Sequence, residues 1–199
     1  GNLSSPMVTL MSAAFGYSWK SLTNTNWVPH TDARAHWFSG TAVPGNASAI
    51  TLGNQVVYNS AFQGSAYSNT ATGKEYWFGL IGHEQQHRSD IDGIGNSLFY
   101  SSYVGMAASA FGNRDNIPHE VGGERSEAYA KQLWNQNGGE VKNIFENGNL
   151  SDSQKSSKLE VIGAKFRRDV ILGDMISNDT KALNSATKSL EDAKGTIAS

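Results

Sequence analysis

Residues 76–90 read Tyr76-Trp77-Phe78-Gly79-Leu80-Ile81-Gly82-His83-Glu84-Gln85-Gln86-His87-Arg88-Ser89-Asp90. Tyr76, Trp77, Phe78, Leu80 and Ile81 are apolar on nearly every side, so the pattern predicts a buried helix rather than a surface one. Thr72 and Glu75 just upstream form a capping-box spacing, which predicts a start near 72 and an end near 89 or 90. Gly79 and Gly82 each cost about 1 kcal/mol against Ala in a helix interior, so close packing of another backbone is the expected reason for them. On such a helix His83 and His87 stand one turn apart on one face, because four residues advance the chain by about 400°. Two imidazoles so placed can hold one metal ion from a single rigid element. Glu84 is rotated by about 100°, where its carboxylate reaches a metal-bound water but is poorly placed to ligate. Burying two histidines and a glutamate in an apolar helix without such a purpose is costly.

The rest of the chain limits the chemistry. It has 199 residues and no cysteine, which removes disulfides, thiolate zinc sites, cysteine nucleophiles and iron–sulfur clusters. Any metal must therefore be held by His and carboxylate. Only 17% of residues are charged against about 25% in an average globular chain, so the surface is polar through amides and hydroxyls, as in exported proteins. The net charge of −2 and the lack of a basic stripe argue against nucleic acid as a partner; Lys165, Arg167 and Arg168 read as a solvated helix face. No run of about 18 apolar residues is present, so no helical membrane span is expected. Residues 7–17 lack a preceding positive segment and do not read as a secretory signal. A Ser-nucleophile elbow, a Walker loop and a dinucleotide glycine pattern are all missing from the sequence.

Outward from the motif, 48–58 reads as a hairpin: Ile50 and Leu52 alternate with Thr51, Gly53-Asn54 supplies the turn, and Val56-Val57-Tyr58 is β-prone. Residues 1–45 read as irregular with short elements, His30 and His36 beside Trp27 and Trp37 being structural, and 59–69 as a polar loop. A second buried helix is expected over 96–111, a break at Gly122-Gly123, and a third helix over 124–134. After an Asn/Gly-rich loop at 135–149, two amphipathic helices follow, one carrying Leu159, Ile162, Phe166 and Val170, the other Leu183, Ala186 and Leu190. The fold class is α+β and helix-dominated, with a small sheet packed beside the motif helix. We treat 1–199 as a single domain with its catalytic core over 48–135 and a helical C-terminal part over 150–199.

The third ligand is open to several carboxylates. On a helix over 124–134, Glu127 shares a stripe with Ala130 and Trp134, the face expected to pack inward. Glu124 shares a more polar stripe with Ala128, Lys131 and Asn135, and Glu120 precedes the expected glycine break. Glu127 is therefore favoured, with Glu124, Glu120, His119 and Asp90 as alternatives or as partners that orient the imidazoles; Asp92 can also orient them. An oxyanion stabiliser is sought in His119 or Tyr129.

The His83-Glu84-x-x-His87 motif on a buried helix behind a hairpin resembles the zincin metallopeptidases. More narrowly, Ala49-Ile50-Thr51-Leu52-Gly53-Asn54 followed by Leu80-Ile81-Gly82-His83-Glu84 is similar to zincin domains of bacterial secreted and polymorphic-toxin proteins. The metzincin extension fails, since Asp90 and Gly93 stand where Gly and His or Asp are required. Glu127-Ala128-Tyr129-Ala130 looks like the Glu-x-x-Ala of gluzincin ligand helices, although Lys131 stands where that family often has Asp or Asn. The resemblance covers about 48–135 and implies one Zn²⁺ per chain on His83, His87 and a glutamate, with Glu84 as general base. It implies a peptidase acting on a protein or peptide substrate, as the toxin or effector domain of a larger secreted bacterial protein. A cognate immunity or inhibitor protein would be its partner, and its place of action would be outside the producing cell or inside a target cell. The alternatives are a domain that cuts itself free of its parent polypeptide, metal-assisted hydrolysis of something other than a protein, and a non-catalytic zinc-stabilised module.

Overall fold

The computed structural model describes residues 1–30, 48–59, 71–109 and 117–198. His36, Trp37 and most of the expected 59–69 loop lie outside these residues. The order is α1 (Ser5–Phe15), α2 (Trp19–Asn24), β1 (Asn26–Pro29), β2 (Ala49–Leu52), β3 (Gln55–Tyr58), α3 (Ala71–Ile94), α4 (Asn96–Ser109), α5 (Pro118–Glu146), α6 (Asp152–Phe166), a π-helical turn (Arg167–Ile171) and α7 (Leu172–Ala198). The fold is α+β and dominated by helix, with one small mixed sheet.

The hairpin forms where the sequence places it. β2 and β3 pair antiparallel with Leu52 opposite Gln55, and Gly53 takes the left-handed φ of 60° that the tight turn requires. A third strand, β1, adds parallel to β3, giving the order β1-β3-β2 with β2 at an edge among the described residues. The irregular reading of 1–45 is corrected for its first part. α1 begins behind Ser4 with Pro6 in its first turn and ends at Gly16 in the left-handed conformation. Its buried residues Pro6, Val8, Thr9, Leu10, Met11 and Ala14 surround the axis, so the 3.6-residue signal of a half-exposed helix is missing.

α3 starts by Ala71, placing Thr72 inside the helix rather than at its cap, and it runs four residues past Asp90 to Ile94, where Gly95 turns the chain at φ 84°. α4 forms as expected but is not buried: Phe99 is covered while Leu98 and Val104 are exposed. The largest correction concerns Gly122-Gly123. The chain does not break there; α5 starts at Pro118 and passes through both glycines. Its interruption falls at Gln136–Gly139, where Asn137, Gly138 and Gly139 have φ of 51°, 68° and 80°.

One apolar cluster runs from Val8 through Trp27, Phe78, Ile81 and Trp134 to Phe166 and Ile171, so the core draws on both ends of the chain. α3 and α5 pack through their small residues. A Cβ on Gly82 would lie 2.9 Å from Ala130 Cβ and 3.0 Å from Ser126 O, and one on Gly79 would lie 2.7 Å from Lys131 Cε. That close approach is the reason for glycine inside α3. α6 is capped by the reciprocal Ser151–Gln154 box and buries Leu159, Gly163 and Phe166, Gly163 lying against Ala13 and Ala14 of α1. Ile162 and Val170 pack at the margin of the same cluster. α7 is different: none of its residues is buried.

Candidate metal centre

His83, Glu84 and His87 are all buried on α3, and the imidazole centroids of the two histidines are 4.9 Å apart. The carboxylate that meets them is Glu120. Its Oε2 lies 3.3 Å from His83 Nε2 and its Oε1 3.8 Å from His87 Nε2. One ligand atom from each of His83, His87 and Glu120 falls within 4.8 Å of the others. These three residues are close enough to bind a metal ion.

Glu127, favoured from sequence as the third ligand, stands elsewhere. Its Oε2 lies 3.3 Å from Nδ1 of His83, the ring nitrogen opposite the one facing Glu120. Its Oε1 accepts a 2.6 Å hydrogen bond from Lys131. The reason is the uninterrupted start of α5. With Pro118 in its first turn, Glu120 is helical, and seven residues later Glu127 returns to the same face. Gly123 lies between them, and a Cβ there would sit 2.7 Å from His83 Nε2. The imidazole of His83 is thus seated over a glycine with a carboxylate at each end. An imidazole that offers Nε2 to a metal is oriented by a carboxylate on Nδ1, and Glu127 occupies that place.

The other sequence candidates divide cleanly. Glu124 lines a cavity of about 150 Å³ together with Tyr76, His83, Glu84 and Glu127, beside the three-residue cluster but not part of it. Asp90 accepts from Gln86 at 2.9 Å and lies 3.9 Å from His119 Nδ1. His119 shares a 3.0 Å hydrogen bond with Ser102 Oγ and stacks on Tyr103. Tyr129, considered as an oxyanion stabiliser, donates to Asp174 at 2.8 Å on an exposed surface, with its ring against Phe166, and so faces α7. Asp92 accepts from Arg88 at 2.8 Å. His30 contributes its backbone N–H to Tyr58 O, extending the strand pairing.

Three supporting residues were not singled out from sequence. Thr51 on β2 donates a 2.6 Å hydrogen bond to Glu84 Oε2, tying the motif carboxylate to the edge strand. Tyr103 donates to Glu120 Oε1 at 2.8 Å. Buried Arg88 donates through Nη1 to Gly53 O at 2.7 Å, while Gly53 N–H donates to Tyr100 Oη at 2.9 Å, so the hairpin turn is held to α3 and α4. The alternation with Ile50 and Leu52 reads Thr51 as the outward residue, whereas Thr51 is the buried one; nothing in the spacing marks the other two.

Charge at the site favours a cation. Burial alone would lower the His83 pKa, but the carboxylates of Glu120, Glu127 and Glu84 outweigh it and raise it to about 9. Glu127 is lowered to about 2, chiefly by His83 and also by Lys131, against the opposing effect of burial. A second cleft of about 250 Å³ opens on the other side of Glu84, lined by β2, His87, Phe99, Tyr100, Tyr103 and Glu120. Protein-family models, curated proteins and solved structures were all compared with the chain, and none matches. No helix among the described residues is long and apolar enough to cross a membrane.

Proposed function

We propose that the chain is a zinc-dependent peptidase with His83, His87 and Glu120 as ligands and Glu84 as general base. The observation that carries this reading is the convergence of three buried ligand atoms within 4.8 Å beside a fourth buried acid. Two imidazoles and one carboxylate are the donor set of catalytic zinc sites that keep a fourth position for water. The buried His83 Nε2 makes no hydrogen bond, which suits a nitrogen that serves as a ligand. A bound zinc ion supplies Lewis acidity, polarising a carbonyl and lowering the pKa of water toward about 7.

Every other role belongs to the chain. Glu84 lines both clefts, takes the proton of the attacking water and returns it to the leaving amine. Thr51 fixes Oε2 of that carboxylate and so orients the group in the site. Glu127 holds the His83 ring in the tautomer that presents Nε2. β2, at the edge of the sheet among the described residues and along the second cleft, offers its backbone to an extended peptide. The setting that fits the resemblance is a toxin or effector domain acting on a protein of a target cell, opposed by a cognate inhibitor.

The test is zinc stoichiometry together with cleavage of a peptide library. About one zinc per chain is expected. Glu84→Gln should keep the metal and lose roughly 10²–10⁴-fold in rate, whereas His87→Ala should lose both. Cleavage that survives in Glu84→Gln sinks the mechanism. A zinc-loaded chain that cuts no peptide makes the site a structural one, and concentration-independent cutting of a longer polypeptide makes the domain a self-releasing one.

A further inference from the structure

The 27 residues of α7 form a rod about 40 Å long. Its contact with the body lies at its first turn, where Asp174 meets Tyr129, and none of its residues is buried. In proteins most helical stability comes from packing an amphipathic face rather than from propensity. α7 has such a face. Ile176, Leu183, Leu190 and Ile197 recur every seven residues and are 68%, 66%, 56% and 86% exposed. Leu172, Asp179, Ala186 and Ala193 fall four residues before each of them in turn. The two sets are the a and d positions of one unbroken heptad seam.

We propose that α7 is a self-association arm, pairing antiparallel with the same helix of a second copy of this chain. Asp179 argues for the direction, and the self-complementary spacing of the two sets argues for the occupant. In a parallel, in-register pair Asp179 would be buried against its own copy, two like charges in the seam. Antiparallel pairing about a two-fold axis between residues 184 and 185 sets each a position opposite a d position. Leu183 then meets Ala186 of the partner copy, and Ile176 meets Ala193 of the partner copy. These two layers each place a large side chain on a small one, which is how facing rows interdigitate. Ile197 meets Leu172 of the partner copy. Asp179 falls beside Leu190 of the partner copy, one helical turn from that copy's Lys194, so the seam acid finds its counter-charge twice per dimer. The stretch supplies both halves of its own interface, as a two-fold contact requires.

Sedimentation of the full chain tests this, and the absence of native cysteine makes single-cysteine cross-linking unambiguous. A monomer–dimer equilibrium is expected below about 100 μM. Leu183→Asp with Leu190→Asp should raise the dimer dissociation constant roughly 100-fold or more, with the thermal midpoint of the monomer unchanged. Ala186→Cys should cross-link to its own copy, being displaced from it by about 5 Å along the axis. Ala193→Cys should not, since its copies would stand about 25 Å apart. A chain that stays monomeric at about 100 μM overturns the proposal. So does a dimer that survives the double substitution, or an Ala193→Cys chain that cross-links to itself as a parallel pair would.

Discussion

α3 and α7 are helices of similar length, 24 and 27 residues, with opposite relations to the rest of the molecule. α3 shows little amphipathic order, yet it carries Phe78, Ile81, His83, Glu84 and Gln85 into the interior. α7 has the most regular apolar spacing in the chain and buries nothing. The difference teaches what periodicity encodes. A repeating apolar face says which side of a helix needs a cover; it does not say whether this chain supplies the cover. A helix surrounded on all sides has no preferred face to reveal, and its glycines mark the packing instead. Gly79 and Gly82 report where α5 crosses α3, whereas Gly173 and Gly195 of α7 have open space around them.

The widest gap between the two helices should appear in paired truncations. Phe78→Ala should lower unfolding free energy by about 3–5 kcal/mol, while Leu190→Ala, measured at monomeric concentration, should stay within about 0.5 kcal/mol. Urea denaturation checks both, and equal losses would erase the contrast. Next in size is Gly123→Ala. Its new methyl would intrude on His83, so a loss of about 1–3 kcal/mol is expected together with weaker metal binding. The same change at Gly195 should cost nothing and can stabilise the helix.

Glu127→Gln sharpens the distinction between holding a metal and orienting its ligand. Metal affinity should fall by about 10–100-fold, measured by chelator competition. Glu120→Gln should abolish stoichiometric binding altogether. Reversed outcomes would return Glu127 to the ligand set.

The smallest effect is in pH. In the metal-free protein, the raised His83 pKa contributes stability that is fully present below about 6.5 and lost as pH rises through about 9. The lowered Glu127 pKa contributes stability present above about 4.5 and lost as pH falls toward about 2. Metal binding needs His83 neutral at Nε2, so its stabilising effect should grow over the range where the metal-free protein weakens. Thermal midpoints with and without zinc should therefore diverge from about pH 6.5 upward. Parallel curves would show that His83 does not change protonation on binding.

Much of this architecture was legible in the sequence, and the misses have physical reasons. His83, Glu84 and His87 follow from four-residue spacing on a helix too apolar to be a surface one. The hairpin follows from alternation around Gly53-Asn54. Glu120 is disfavoured in the sequence because Gly122-Gly123 resembles a helix stop, but a glycine such as Gly123 is equally what a helix needs where a buried side chain, here His83, approaches its backbone. Pro118 was the contrary signal, since proline in the first turn marks a helix start and places Glu120 in register with Glu127. α1 was missed for the reason α3 was found only through its motif, namely that fully buried helices carry no stripe. The pairing of Thr51 with Glu84 joins residues 33 apart and depends on how the sheet sits against α3, which no local pattern records.

The turn at Gly53-Asn54 has one more consequence. Tight turns between strands are ordinarily the places where a chain accepts extra residues. Here Gly53 gives its carbonyl to Arg88 and its N–H to Tyr100, so the tip is gripped from two helices at once. A single inserted residue would shift one grip or the other and rotate Thr51 out of reach of Glu84. Length, more than side-chain identity, is what this turn must conserve, and a library of insertions across the chain should find here a gap in tolerance on what otherwise looks like an ordinary loop.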